Sequence, residues 1–227
     1  WFLLEQAKDL IEEKSGASLA SQAASLDISV EQVLTENVTA LQSLAGQPEI
    51  RSMDPARQKP VLDVMAAAYS SVYLVSTIDT TGMNVARSDE NVLTDYSDRA
   101  WFQDIQDGKE YSIQTLIGRT TGQPALVAAV PIFDQQEHLV GVAMLASLLT
   151  EISDQVLMMK VGEGGYAYVV DDQNQLVVHP DIVPGSTTLV DYSSTPPIAA
   201  LRENKAAPLL YIDEAGVEWL AYYQSTR

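Results

Sequence analysis

The sequence predicts an α+β protein in which one long N-terminal helix is followed by two antiparallel-sheet modules. Three observations carry that prediction. Apolar residues recur at helical spacing for about 40 residues, with no proline before Pro48. The pattern then changes to β-branched and aromatic runs separated by Asp-led turns. That strand grammar starts again about 90 residues later, as an internal repeat does.

Taken in order, residues 3–44 place Leu, Ile, Val and Ala on one helical stripe, weakened only at Gly16. The pattern fits one long helix or two in series, and Asp27 is where two would divide, because Ser29 and Gln32 beyond it have capping-box spacing. At 1.5 Å per residue such a helix is about 60 Å long, longer than a small domain is wide, so it is expected to act as a spine touching both modules. Gly46-Gln47-Pro48 ends it, and Asp54-Pro55 opens the next helix, reaching to about Tyr69. Residues 72–78 and 83–87 form a hairpin around Asp79-Thr80-Thr81-Gly82. Residues 98–107 read as a short amphipathic helix, and 111–117, 125–133 and 139–145 as three strands, the last two joined by Asp134-Gln135-Gln136-Glu137. Residues 148–159 are helical again, and 161–165 form a glycine-rich joint. Beyond it, 166–170 and 175–179 flank Asp171-Asp172-Gln173-Asn174, and 209–212 and 217–223 flank Asp213-Glu214-Ala215-Gly216. The expected division is a helical spine at 1–50, a first module at 51–160 and a smaller second module at 161–227.

Composition narrows the function classes. The 227 residues are 46% hydrophobic, enough for a folded core. Thirty-one acidic residues against 13 basic ones give a net charge of −18, which repels nucleic acid and anionic membrane surfaces. With no cysteine there are no disulfides, thiolate nucleophiles or Cys-based metal centres. No run of about 18 apolar residues is present, and the opening Trp1-Phe2-Leu3-Leu4 lacks a signal peptide's basic region. An aromatic start without Met is what a trimmed membrane-flanking segment leaves, and equally what an arbitrary cut leaves.

Three segments in order resemble one family. Asp95-Tyr96-Ser97-Asp98-Arg99-Ala100-Trp101-Phe102 looks like an Arg-x-Trp-aromatic helix start. Pro131-Ile132-Phe133-Asp134 with Val140-Gly141-Val142 looks like a Pro-Ile hairpin, and Gly165-Tyr166-Ala167-Tyr168-Val169-Val170-Asp171 with His179-Pro180-Asp181 looks like a second module. Behind a long helix, these resemble the double Cache family of PAS-like extracytoplasmic sensor domains in bacterial and archaeal receptors. The resemblance covers essentially the whole chain. It implies a non-enzymatic sensor without cofactor that binds a small molecule in its membrane-distal module. It also implies flanking transmembrane helices and a cytoplasmic output domain in the full-length protein. If the helix is a dimer spine, self-association of the excised domain is expected to be weak.

The resemblance places a ligand site around Arg99 and Trp101. An Arg fork matches a carboxylate, and an aromatic wall excludes water. Two roles are open for Arg99: facing a pocket, or pairing with Asp98 or Asp95 while Trp101 fills the core. Phe102, Tyr96, Tyr111, Tyr73 and Ser147 are the other candidate lining residues. The family's amino-acid-binding branch has a Tyr where this chain has Thr94, a hydroxyl-bearing aromatic where it has Phe102, and an anion where it has Ala146. A buried ammonium without a partner costs several kcal/mol, so a carboxylate or other neutral or anionic ligand is expected in preference to an α-amino acid.

Alternatives from other classes are weaker. His179 before Pro180 reads as structural, His138 as solvated, and Thr120-Thr121-Gly122 as a hairpin turn. No phosphate loop, zinc-binding His pair or nucleophile elbow occurs, and Asp171-Asp172 with Asn174 lacks the Glu that closes a calcium loop. An interaction module that senses a partner protein and binds no small molecule is the alternative to a ligand sensor.

Overall fold

A computed structural model describes residues 2–156, 164–180, 182 and 185–225. Its elements are α1 (Phe2–Ala45), α2 (Pro48–Arg51), α3 (Pro55–Ala68), β1 (Val72–Asp79), β2 (Asn84–Arg87), α4 (Ala100–Gln106), β3 (Ser112–Ile117), β4 (Pro124–Phe133), β5 (Leu139–Leu148), α5 (Leu149–Val156), β6 (Val169–Val170), β7 (Leu176–Val178), α6 (Pro196–Arg202), β8 (Leu209–Ile212) and β9 (Glu218–Ala221). The architecture is the expected α+β one, with the long helix first. No described helix is long and apolar enough to cross a membrane.

The chain divides into two compact units: Gln32–Gln155 with Asp181–Leu189, and Trp1–Glu31 with Val156–Pro180 and Val190–Arg227. The spine is therefore shared, its last part grouping with the larger unit and its first 31 residues with the smaller. Of the two alternatives, one helix or two in series, the structure has one helix, and α1 runs through Asp27 without a break. Ser29 does not cap. Its hydroxyl donates to the Ser25 carbonyl one turn back (3.0 Å), and Gln32 bonds Glu36 along the helix (2.8 Å).

In the larger unit a five-stranded antiparallel sheet has the order β2-β1-β5-β4-β3. Each face carries its own core. On one face, Val38, Leu41 and Leu44 of α1, Ile50 of α2 and Leu62 and Met65 of α3 pack on Val75, Ala128, Val130, Ala143 and Leu145. On the other, Trp101, Phe102 and Ile105 of α4 and Tyr96 pack on Leu74, Ile78, Val127, Ala129, Val142, Met144 and Ala146. The alternation 142, 144, 146 against 143, 145 is the period-2 pleat. Helix α3 starts where the sequence predicts, with Asp54 Oδ1 accepting the Ala56 N–H at 2.9 Å. It is fastened to the sheet by Gln58, fully buried, which donates to the Ile50 carbonyl (2.7 Å) and accepts from Thr77 Oγ1 (2.6 Å).

Strand β1 is irregular near its start, where the β1–β5 register shifts between Val72 and Leu74. Leu74, Ser76 and Ile78 have the parity of Val72, yet Leu74 and Ile78 join the α4-side core while Val72 joins the α1-side core. This bulge at Tyr73 allows Tyr73 and Leu74, neighbours in sequence, to reach the same face.

Among the described residues the smaller unit holds two separate hairpins, β6–β7 and β8–β9, rather than one continuous sheet, together with helix α6, which the sequence patterns do not predict. Tyr166, Tyr168, His179, Tyr192 and Trp219 form an aromatic cluster there, with Tyr166 and His179 centroids 5.0 Å apart and Tyr166 and Trp219 5.6 Å apart. His179 is buried in it. The joint at 161–165 lies mostly outside the described residues, as does the end of the helix expected to reach 159.

Candidate ligand cleft

The α4 face of the larger unit carries a cleft, and its position follows from how α4 begins. Arg99 is the N-cap residue, with extended φ and ψ of −81° and 132°, and its side chain makes no capping bond. The free N–H of Trp101 is instead satisfied by Gln114 Oε1 of β3 at 3.0 Å. Arg99, whose guanidinium has only donors and could not accept that N–H, lines the cleft instead. Trp101 itself is 1% exposed and forms the wall, stacked at a tilt on Tyr96 (5.5 Å between centroids).

The cleft lining has an apolar part, which we call its floor, from Leu74, Leu116, Val127, Met144 and Ala146, and a polar part, its rim, from Tyr73, Arg99, Arg119 and Thr120 with the buried Tyr96 behind them. The space between atoms is about 250 Å³, which includes some open solvent, and the centre of a water can move through only about 10 Å³ of it, room for about one water. A ligand larger than water therefore enters only if a wall moves. The wall with fewest sheet bonds is the β3–β4 loop, residues 118–123, which brings Arg119 and Thr120 to the rim.

Two arginines, Arg99 and Arg119, line this space, and a third, Arg87, is bonded to the lining residues Tyr96 and Thr120; the three are in different electrostatic states. Arg87, its side chain 2% exposed, is neutralised by Asp89 in a two-pronged pair (2.7 and 2.9 Å). It also donates to Asn84 Oδ1 (3.0 Å), Tyr96 Oη (3.3 Å) and Thr120 Oγ1 (2.8 Å). Burial disfavours its charge, but Asp89 outweighs that and the Arg87 pKa is raised. Asp89 is held below the usual carboxylate range, since the bonds from Arg87 and Asn91 overcome its own burial. Arg119 bonds the Asp98 carboxylate and the Asp95 carbonyl, and its guanidinium carbon lies 5.6 Å from the Tyr96 ring centroid. Arg99 is different: it donates one bond, to the Ile117 carbonyl at 3.3 Å, and has no carboxylate within 4.0 Å among the described residues. Burial, and then the neighbouring Arg119, lower its pKa. Arg99 pairs with neither Asp98, whose carboxylate is taken by Arg119, nor Asp95, whose carboxylate accepts the Ser97 N–H.

Of the seven residues singled out from sequence, Tyr73, Tyr96, Arg99 and Trp101 line the cleft. The other three do not. Phe102 is buried behind Trp101, edge to face with it. Tyr111, half exposed, precedes β3 and lies outside the lining. Ser147 is fully buried, and the pleat turns it to the α1 side of the sheet, away from Ala146; among the described residues its hydroxyl finds no hydrogen-bond partner. Burial pushes the Tyr73 phenol pKa up, against a hydrogen bond with Thr121. Sequence reasoning missed Arg119 and Thr120, whose only signal was an arginine in a loop bounded by Gly118 and Gly122, and Arg87, hidden in a strand.

A five-stranded antiparallel sheet with a long N-terminal helix on one face and a short Arg-Trp helix on the other has counterparts. The Cache domain model matches residues 4–227. The chain belongs to the Cache-domain family. Among solved structures, the Cache chain is similar to the ligand-binding domain of the Pseudomonas fluorescens chemoreceptor CtaA in complex with L-isoleucine. The two are 19% identical, with a TM-score of 0.65 over 78% of this chain and 73% of that one. It is similar also to the ligand-binding domain of the Pseudomonas aeruginosa PAO1 amino-acid chemoreceptor PctC in complex with GABA: 18% identity, TM-score 0.60, 88% and 87% covered. These likenesses are of fold. One curated protein, a citrate (Re)-synthase of Syntrophus aciditrophicus strain SB, is 26% identical over 117 residues, 46% of this Cache chain. The matched stretch spans about a fifth (19%) of that protein's length. Both structural relatives are ligand-binding domains of chemoreceptors.

Proposed function

We propose that this Cache chain is the extracytoplasmic ligand-binding domain of a transmembrane signalling receptor, and that it takes a small organic anion at Arg99. In this reading residues 51–160 form the membrane-distal, ligand-binding module and 161–227 the membrane-proximal one. The spine, 1–50, connects to a transmembrane segment, and the output domain lies elsewhere in the full-length protein. The single observation that carries the reading is the half-buried Arg99 guanidinium, bordering an aromatic-walled cleft with only one carbonyl as partner. A cation left in that state gains most from an incoming carboxylate, which matches its donor fork.

The test is a thermal-shift screen against organic acids, amino acids and amines, followed by calorimetry. A ligand at 100 times its Kd stabilises by about 2.7 kcal/mol. Arg99→Ala should weaken binding by roughly 30-fold or more, Arg99→Lys should restore it only partly, and Arg202→Ala in α6 should leave it unchanged. Unchanged affinity in Arg99→Ala, with the loss at His179 instead, would defeat the assignment. A second reading, a module that senses a partner protein, is favoured by the narrowness of the cleft, and a screen without any stabilising small molecule would support it.

A further inference from the structure

We infer that the cleft selects a compact monoanion with an uncharged, apolar body, and that it rejects the α-amino acid of the same carbon skeleton. The inference rests on the proposed ligand site at Arg99 and sharpens its chemistry.

The charges around the cleft decide the class. No Asp or Glu is among the residues that line it. The carboxylates nearby are already engaged. Asp89 is held by both arms of Arg87, Asp98 by Arg119, and Asp95 by the Ser97 N–H (2.8 Å). A ligand ammonium would thus lose its water facing Arg99 and Arg119, with only the hydroxyls of Tyr73, Tyr96 and Thr120 in reach of the rim. Desolvating a charge beside like charges, without a counter-ion, is among the largest penalties a binding site can impose. A carboxylate meets the opposite situation at Arg99.

The number of anionic groups follows from the same accounting. Of the two arginines that line the cleft, Arg119 is paired with the Asp98 carboxylate, while Arg99 has no carboxylate within 4.0 Å among the described residues and shares the more distant attraction of Asp98 with Arg119, so the lining carries room for about one further negative charge. A second ligand anion would have to draw Arg119 from Asp98. The floor offers it nothing, since Leu74, Leu116, Val127, Met144 and Ala146 carry no donor side chain. An apolar body on that floor gains the ordinary hydrophobic increment instead. One anionic head at the rim and a small aliphatic or aromatic body inside is the ligand that satisfies both surfaces.

The test is calorimetry on the purified chain with matched probes: 3-methylbutanoate, valine and 2-methylpropylamine on one branched skeleton, and butanoate against butanedioate on a straight one. The expected order places 3-methylbutanoate at least about 100-fold tighter than valine, with no binding of the amine, and butanoate tighter than butanedioate. Arg119→Gln should keep monocarboxylate affinity within about tenfold, while Arg99→Gln should lose it. Valine binding within about tenfold of 3-methylbutanoate, butanedioate exceeding butanoate, or equal losses in Arg119→Gln and Arg99→Gln would each overturn the inference while leaving Arg99 as an anion site. If no carboxylate binds, or if binding survives in Arg99→Gln, the ligand-site proposal itself falls and the selectivity falls with it.

Discussion

Removing Arg99 should scarcely change the stability of the fold, whereas removing Arg87 of β2 should damage it, and the contrast separates a ligand-facing cation from a structural one. Arg99→Ala deletes one 3.3 Å bond to the Ile117 carbonyl, a net contribution of about 0.5–1.5 kcal/mol, plus some packing of the stem. Against that loss, it removes a partly desolvated charge that lies beside Arg119. The two effects are of similar size, so the expected net change is within about 1 kcal/mol of zero. Arg87→Ala deletes five bonds and leaves Asp89 without its counter-ion. Breaking a buried pair costs about 3–5 kcal/mol, which the 19% exposure of the Asp89 side chain reduces to about 2–4. For a chain of this size that is about 5–15 °C in Tm. The assay is thermal and urea unfolding followed by tryptophan fluorescence, with Trp1 and Trp219 replaced by Phe so that Trp101, packed beside Tyr96, alone reports on the larger unit. A destabilisation by Arg99→Ala as large as that by Arg87→Ala would refute the reasoning, because it would make Arg99 a structural residue.

Two further outcomes are expected. Gly141, where β5 pairs with both β1 and β4, has no room for a side chain: an added Cβ would lie 2.5 Å from the Ile78 carbonyl oxygen and 2.6 Å from Met53 Cε. Gly141→Ala should therefore cost about 3 kcal/mol or more, while Gly46→Ala, whose Cβ meets nothing closer than 3.5 Å, should be neutral or slightly stabilising; equal urea midpoints for the two would contradict this. Acid should also destabilise the larger unit. Lys109 and Ser112 hold Asp104, and Arg87 holds Asp89 against burial, below the ordinary value of 3.8. A depressed folded pKa means stability present above that ordinary value and lost as pH falls through the folded one. Tm measured in about 0.5 M salt, which suppresses the general repulsion of the −18 chain, should fall below pH 4 and fall less in Asp104→Asn. A Tm that stays level from pH 7 to pH 3 would count against it.

What was legible in the sequence is what depends on neighbours in the chain, and the hairpins show why. Asp79, Asp134, Asp171 and Asp213 each lead a turn, and each carboxylate accepts a backbone N–H four residues on: Met83 (3.1 Å), His138 (2.9 Å), Gln175 and Val217 (both 2.8 Å). That device is local, so the repeated strand–Asp–strand grammar located four hairpins correctly. The cleft obeys the same logic only in part. The pleat alone puts Ala146 and Ser147 on opposite faces of β5, so a site containing Ala146 on its floor excludes Ser147, and strand parity was enough to say so. Tyr73 and Leu74 break that parity, and their shared face depends on a bulge set by how β1 registers on β5, some 70 residues away in sequence. The same distance hides the electrostatics. Asp98 adjoins Arg99 in the chain, yet it is bonded by Arg119, which the β3–β4 turn returns to the start of α4. Local spacing therefore left an Arg99 ion pair open as one of two roles, and the tertiary exchange of partners is what leaves Arg99 without a carboxylate within 4.0 Å among the described residues.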